Sequence, residues 1–434
     1  MGGVSPYEKY YSQLINGNGV DVHQHDQQQQ NKDNRNNQSA STSNTIIKET
    51  IQIIHWRIRA LLFLRRYHDL KTEILRIRLL PSASYNDTLP DWIPLGLILE
   101  GVEATFHVNM SSADSSGGGG GRKEDDFRTE REELDLIVDN LYELRKTHNS
   151  KIEKGADGAY MHDLLKLDTV LVNILVQREE WRLALHGLDG MLVYAGESVK
   201  SWFDKDGGTD GGTIYNDNDN LEIMTKAVKI ELYSRQGKIL LQAGALPAAA
   251  TVFERAHDLY QTMTMNLDTV NDLGIHGNDL LLIRNVKTQI LMNEGLLHFA
   301  HIDYDLAEEK FRMAVESQRE FQKENTNEKR AHGDLILDGG ELMGTEGDLL
   351  IPCLNNLALC ALYTCRMRDA VNMMEALVRE DPTKYLTEVM VFNLCTLYEL
   401  GSDNATSERK KRVLQSIAKR FTLHDIGPEN FRLH

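Results

Sequence analysis

The sequence is short of the residues that punctuate β-structure and staple secreted folds. It holds 8 prolines in 434 residues, too few for the many turn-bounded strands of a sandwich or barrel. Its 4 cysteines, Cys353, Cys360, Cys365 and Cys395, form no C-x-x-C pair. That excludes a zinc-ribbon spacing and fits small apolar side chains in a reducing compartment. No window reaches the roughly eighteen consecutive apolar residues of a membrane span. The nearest, 93–102, is far too short. Met1–Tyr11 has no apolar h-region, so no secretory signal is expected, nor modification of the N-x-S/T sites at Asn86 and Asn109. Cations are scarce as well: 48 Lys and Arg stand against 65 Asp and Glu, a formal net charge of −17. Such a field repels phosphate backbones and anionic headgroups, so neither nucleic acid nor direct membrane insertion is expected. The basic clusters Arg57–Arg66 and Lys410–Arg412 sit on helical patterns and read as solvated faces.

What the chain does have is helical periodicity. Apolar residues recur at three- and four-residue spacing over about 46–66, 68–79, 92–107, 127–147, 160–177, 180–195, 221–243, 246–265, 279–300, 304–323, 351–364, 367–379, 385–400 and 407–421, which predicts an all-α fold. Residues 1–44 are rich in Gln, Asn, Asp and Ser and read as a disordered polar tail. N-terminal helical pairs follow over 45–200, interrupted by a Gly-rich insertion at 111–126. An acidic, Gly-rich linker spans 201–220. Helical repeats fill 221–434, with a loop at 324–348.

The repeats carry the architecture. Gly237 precedes a turn at Gly244, and Ala249, Phe253 and Ala256 follow as A-x3-F-x2-A. Gly295 is followed by Tyr304, Ala307, Phe311 and Ala314 at the same offsets. A third unit has Ala358, Ala370 and Met374 and closes on Pro382; Trp181 with Ala184, and more faintly Tyr67 with Leu70, repeat the start of the second helix. This is the pattern of a tetratricopeptide helix pair, in which small residues allow close approach and an aromatic fills the gap. Glycine inside a helix costs about 1 kcal/mol relative to alanine, so two glycines at matched offsets point to a packing role. The array expected is a tetratricopeptide-like α-α superhelix with long loop insertions. Successive units stand roughly sixty residues apart, about twice the usual repeat.

The run 355–400 is more specific. Asn355, Asn356, Ala358 and Cys360 lead to Leu362 and Tyr363; Glu375, Asp381 and Pro382 form a turn; and Phe392, Asn393, Leu394, Thr396, Tyr398, Glu399 and Leu400 read FNL-x-T-x-YEL. Lys410, Lys411 and a final Phe431–Leu433 complete a C-terminus that resembles the trafficking protein particle complex subunit 12 family. That resemblance implies a non-catalytic scaffold subunit of the complex-III tethering assembly, in traffic between endoplasmic reticulum and Golgi and in autophagy. It implies protein subunits as partners and a cytoplasmic place peripheral to Golgi-directed membranes. It implies too that nucleotide exchange on a Rab GTPase belongs to the assembly's core. The family's long acidic N-terminal extension is replaced here by about 45 polar residues, and the Gly-rich insertions are additional.

Catalytic chemistry has little to build on. His298 and His301, with Asp303 and Asp305, lack a third ligand at helical spacing, so no metal is expected. Asp206, Asp210, Gly211 and Asp217 partly match a calcium loop, but Gly208 and Thr213 break it and an acidic linker is the better reading. The glycines of 117–121 and 207–212 precede no G-K-[ST], and neither G-x-S-x-G nor H-E-x-x-H occurs. No cofactor or small-molecule substrate is expected, and the chain reads as no enzyme. The alternative is a tetratricopeptide adaptor of another complex, such as a chaperone cofactor. The Asn of a carboxylate clamp is replaced by Lys238, Leu296 and Leu359 in the three repeats.

Overall fold

Amphipathic stripes at 3.6-residue spacing bury one side of some helices, helices apolar on several sides are covered by more than one neighbour, and short turns bring consecutive helices together. The computed structural model describes scattered positions between 57 and 73, then 135, 138–150, 159–206, 217–270, 277–329, 349–423 and 426–433. Within these, all regular structure is helical, and the chain is an all-α array of tetratricopeptide-like helical hairpins. The expected helix over 92–107 and the insertion at 111–126 lie outside the described residues, as does the polar tail.

Two compact units cover Met1–Thr105 and Phe106–His434. In the first, Leu70 is fully buried and the Glu73 carboxylate lies 3.3 Å from the Arg57 guanidinium. In the second, helical residues 138–150 precede α1 (Ala159–Gln177), α2 (Trp181–Asp206), α3 (Asp217–Gln242), α4 (Leu246–Val270), α5 (Gly277–Ala300) and α6 (Tyr304–Lys329). Then come α7 (Leu350–Tyr363), α8 (Met367–Glu380), the single turn α9 (Pro382–Tyr385), α10 (Glu388–Gly401), α11 (Asn404–Arg420) and a 3₁₀ turn, η1 (Pro428–Phe431). The hairpins are α1/α2, α3/α4, α5/α6, α7/α8 and α10/α11, and each packs against its neighbour in sequence. The sixty-residue spacing comes from long helices in the first units and, between Ala307 and Ala370, also from the stretch between α6 and α7. Helices α2 to α6 run 24 to 26 residues, whereas α7 and α8 have 14 each, the length of an ordinary repeat. The acidic linker is accordingly shorter than the composition suggests, since helix continues to Asp206 and resumes at Asp217; likewise α6 runs on to Lys329, into the expected loop.

The first four hairpins turn in one way. Glu179, Gly244, Ile302 and Cys365 each hold a left-handed backbone, at φ 60°, 76°, 65° and 62°. In each, the next residue's N–H reaches back to the carbonyl five positions earlier: Glu180 to Leu175 at 2.9 Å, Ala245 to Leu240 at 2.8 Å, Asp303 to His298 at 3.0 Å and Arg366 to Ala361 at 2.7 Å. This is the Schellman closure, which satisfies the last carbonyls of one helix. The same residue's carbonyl then receives the first N–H bond of the next helix, from Ala184, Ala249, Ala307 and Ala370. One residue thus ends one helix and starts another, which fixes the crossing.

Only Gly244 suits that backbone without cost. For other residues the left-handed conformation is unfavourable by roughly 1–2 kcal/mol. Ile302 is β-branched and 72% exposed, so its side chain returns little through packing. Ile302→Gly is expected to raise stability by about 1 kcal/mol, and Gly244→Ala to lower it by a similar amount, read from thermal melting of the two variants.

Candidate functional site

In a hairpin array the working parts are the seams that hold helices in register and the faces left over. Four alanines enter the seams at one position: Ala184, Ala249, Ala307 and Ala370, all at 0% exposure. Nine residues after the left-handed residue stands a large side chain, namely Leu188, Phe253, Phe311 and Met374, all buried. Seven residues before it, on the partner helix, stand Val172, Gly237, Gly295 and Ala358.

The two positions trade volume. A Cβ on Gly237 would come within 2.1 Å of the Phe253 ring, and one on Gly295 within 2.6 Å of the Phe311 ring. Where Val172 replaces the glycine, space is found on the other helix, because a Cβ on Gly187 would meet Val172 at 2.9 Å. A small residue under a large one lets the axes approach closely. Ala256 and Ala314 are also at 0% exposure. Tyr304 lies half-buried at the head of α6 and stacks on Tyr363 at 4.9 Å between centroids. Both rings meet Phe299 edge-on. Pro382 opens α9 behind an Asp381 cap, whose carboxylate accepts from the N–H groups of Thr383 and Lys384.

Polar bonds tie the first helix of one hairpin to the helices of the hairpin before it. Asn293 donates to Ser234 at 2.6 Å, Arg235 to Asn173 at 2.9 Å and Gln236 to Asp189 at 2.7 Å. Further up the chain, Asp168 is 2% exposed and accepts from Arg145 at 2.6 and 3.1 Å and from the Tyr194 hydroxyl at 2.7 Å. Burial and the Asp168 charge push the Tyr194 hydroxyl well above the usual phenol range. This cluster joins residues 138–150 to α1 and α2. Sequence reasoning missed it because its members lie 23 and 26 residues apart in no recognised motif.

The C-terminal motif residues converge. Asn393 donates to Asn355 at 2.7 Å, joining α10 to α7. Glu375 of α8 accepts from the Tyr398 hydroxyl at 3.0 Å and from Lys410 at 3.2 Å, and pairs with Arg379. Lys410 also lies over the Tyr398 ring at 4.6 Å. Leu394 and Tyr398 are buried; Phe392 and Leu400 are exposed, at 44% and 60%, and Asn356 is half-buried. Arg432 lies 4.2 Å over the Phe392 ring.

Lys411 departs from the expected solvated face. It is 1% exposed, and its ammonium contacts Glu399 at 2.7 Å, Glu408 at 3.3 Å and the Arg432 carbonyl at 2.8 Å. Burial pulls its pKa down, and the hydrogen-bonded carboxylates more than reverse that, leaving it raised. The hydrogen bond from Lys411 in turn holds the Glu399 carboxyl below its usual range. The signal was in the pattern: Ser407, Lys411, Leu414 and Ala418 share one helical stripe.

The other candidates are not brought together. The His301 ring, in the turn after α5, hydrogen-bonds the Leu297 carbonyl of that helix at 2.8 Å. Among the described residues no three His, Cys, Asp or Glu side chains gather as a metal site. Asp206 and Asp217 close and open helices, and residues 207–216 between them lie outside the described residues. Cys353, Cys360 and Cys395 are buried and Cys365 is exposed in its turn. Burial pushes the Cys360 thiol up to about 12 and the Cys395 thiol to about 11, so neither is a thiolate at neutral pH. No described helix is long and apolar enough to cross a membrane.

Stacked hairpins with interlocked seams define the class: a helical-repeat protein of the tetratricopeptide type, in which stacking leaves extended faces for other chains. The chain is similar to trafficking protein particle complex subunit 12 of Homo sapiens, with 27% identity over 188 residues, 43% of this chain and 19% of that protein. The Mus musculus protein of the same name is 27% identical over 190 residues, 44% of this chain and 18% of that protein. The matched segment spans about a fifth of the length of these curated relatives. No family model matches the chain.

Proposed function

We propose that the chain is a non-catalytic scaffold subunit of a trafficking-protein-particle-type tethering assembly, in its complex-III form, in traffic between endoplasmic reticulum and Golgi. It works by holding other subunits, from the cytoplasmic side and peripheral to the membrane, with no cofactor and no small-molecule substrate. The observation that carries this reading is the similarity to the human and mouse subunits. The mutual engagement of the residues that bear the family resemblance supports it: Asn355 with Asn393, and Glu375 with Tyr398 and Lys410. Their chemistry is structural, a set of inter-helix locks, which suits a scaffold. We propose also that the repeat-packing residues serve this function indirectly, by fixing the spacing of the hairpins. The working division of the chain keeps the acidic linker as a boundary, with the α1/α2 hairpin before it and the repeats read from the composition over 221–434 after it.

The test is capture of tagged full chain from cells. The expected result is co-isolation of trafficking protein particle subunits by the wild type and by Gly190→Ala, and its loss with Gly295→Trp, which separates a hairpin. Capture of no such subunit by the wild type would overturn the reading.

A further inference from the structure

The outer face of α11 has no partner among the described residues, and its composition runs against that of the chain. Ala405, Arg409, Arg412, Val413, Ser416 and Arg420 recur at three- and four-residue spacing and are all exposed. They form one stripe about 22 Å long at 1.5 Å per residue. The molecule carries a net charge of −17, yet no carboxylate among the described residues pairs with any of the three arginines. The one acid on the helix, Glu408, borders the stripe and is engaged by the buried Lys411 at 3.3 Å. A shallow depression of about 470 Å³ runs along the stripe between Ala405, Glu408, Arg409, Arg412 and Ser416, with Val413 in its wall and Glu408 as its one acid against two arginines. Val413 is 54% exposed, and Phe421 just beyond the helix is 37% exposed.

A face that only keeps the molecule soluble mixes both signs and favours Lys and Glu. Arginine with exposed apolar and aromatic side chains is instead the composition of a protein interface. We infer that this stripe docks an acidic, amphipathic helical segment of another protein, with carboxylates on the arginines and an apolar residue against Val413. Charge complementarity chooses the occupant. A membrane is an extended anionic plane and would face the excess carboxylates of the whole molecule as well as the stripe, whereas a segment of about four turns meets the stripe alone. The inference rests on the scaffold reading in one respect, that the occupant is a protein; it does not depend on which complex supplies it.

The experiment places a photoreactive residue in the full chain in cells, Val413→p-benzoyl-phenylalanine, with Val193→p-benzoyl-phenylalanine on α2 as the exposed control. The expected result is a cross-link from position 413 to a segment rich in Asp and Glu of another protein. Arg409→Glu with Arg412→Glu should reduce that cross-link about tenfold, the effect of losing roughly 1.4 kcal/mol of interaction, with an unchanged melting midpoint because both side chains are exposed. No cross-link, one to lipid, one to this chain's own acidic segments, one to a segment without excess acid, or one that survives the charge reversal would each overturn the proposal. A specific acidic partner outside the trafficking assembly would leave the docking site standing and count against the proposed complex.

Discussion

Gly295→Trp is expected to lower folding stability by more than about 3 kcal/mol, and Gly295→Ala by about 1–2 kcal/mol, from overpacking of a filled seam. The reason is local. Phe311 is at 0% exposure, and a Cβ on Gly295 would stand 2.6, 2.7 and 3.0 Å from three atoms of its ring. The ring shares one buried cluster with Ala307 and Ala314, which are also at 0% exposure, so it has little free space to move into. Gly190→Ala is the matched control, since its Cβ would meet nothing nearer than an Arg145 nitrogen at 4.0 Å. There the ordinary helix preference should dominate and raise stability by about 0.5–1 kcal/mol. The opposite signs are the diagnostic feature, measured by denaturant unfolding followed by circular dichroism. Phe311→Leu should restore part of the loss in Gly295→Ala, because the two changes act on one volume.

Lys411→Met is expected to cost about 2–3 kcal/mol, somewhat below the usual loss for breaking a buried ion pair because Glu399 is partly solvated. Lys411 is 1% exposed and is the charge on which Glu399, Glu408 and the Arg432 carbonyl converge. Removing the ammonium leaves carboxylates turned toward one another and releases the chain end that Phe431 pins into the core. Amide hydrogen exchange should therefore rise in η1 and α11 before it rises elsewhere. Lys419→Met, on the exposed side of the same helix, should change neither stability nor exchange. Lys411→Met combined with Glu399→Met should recover part of the loss, since replacing both partners removes the stranded charge.

These two sites differ in how far the sequence disclosed them. Gly295 and Gly237 were legible, because glycine inside an amphipathic helix needs a reason and each is followed at a fixed offset by phenylalanine. The inverse arrangement, Val172 over Gly187, was not, since the tetratricopeptide pattern has the small residue on the first helix and the large one on the second. The turns were legible only at Gly244; Glu179, Ile302 and Cys365 carry no sign of a left-handed backbone, which tertiary packing imposes on them. Lys411 was masked by its neighbours, because three consecutive cations read as one solvated cluster although the apolar period of α11 runs through the middle one. Helix bounds came through well where apolar periodicity was strong. They fell short where polar ends continue as helix, as at α2 and α6. The Asp168 cluster was beyond reach, because its partners meet only once the helices are packed.

The scaffold role is tested most directly by sizing native cell extracts and following this chain across the column. Elution far above the monomer, together with subunits of a trafficking protein particle complex, is the result predicted. Elution alone at the size of the single chain, with none of those subunits in its fractions, would contradict it.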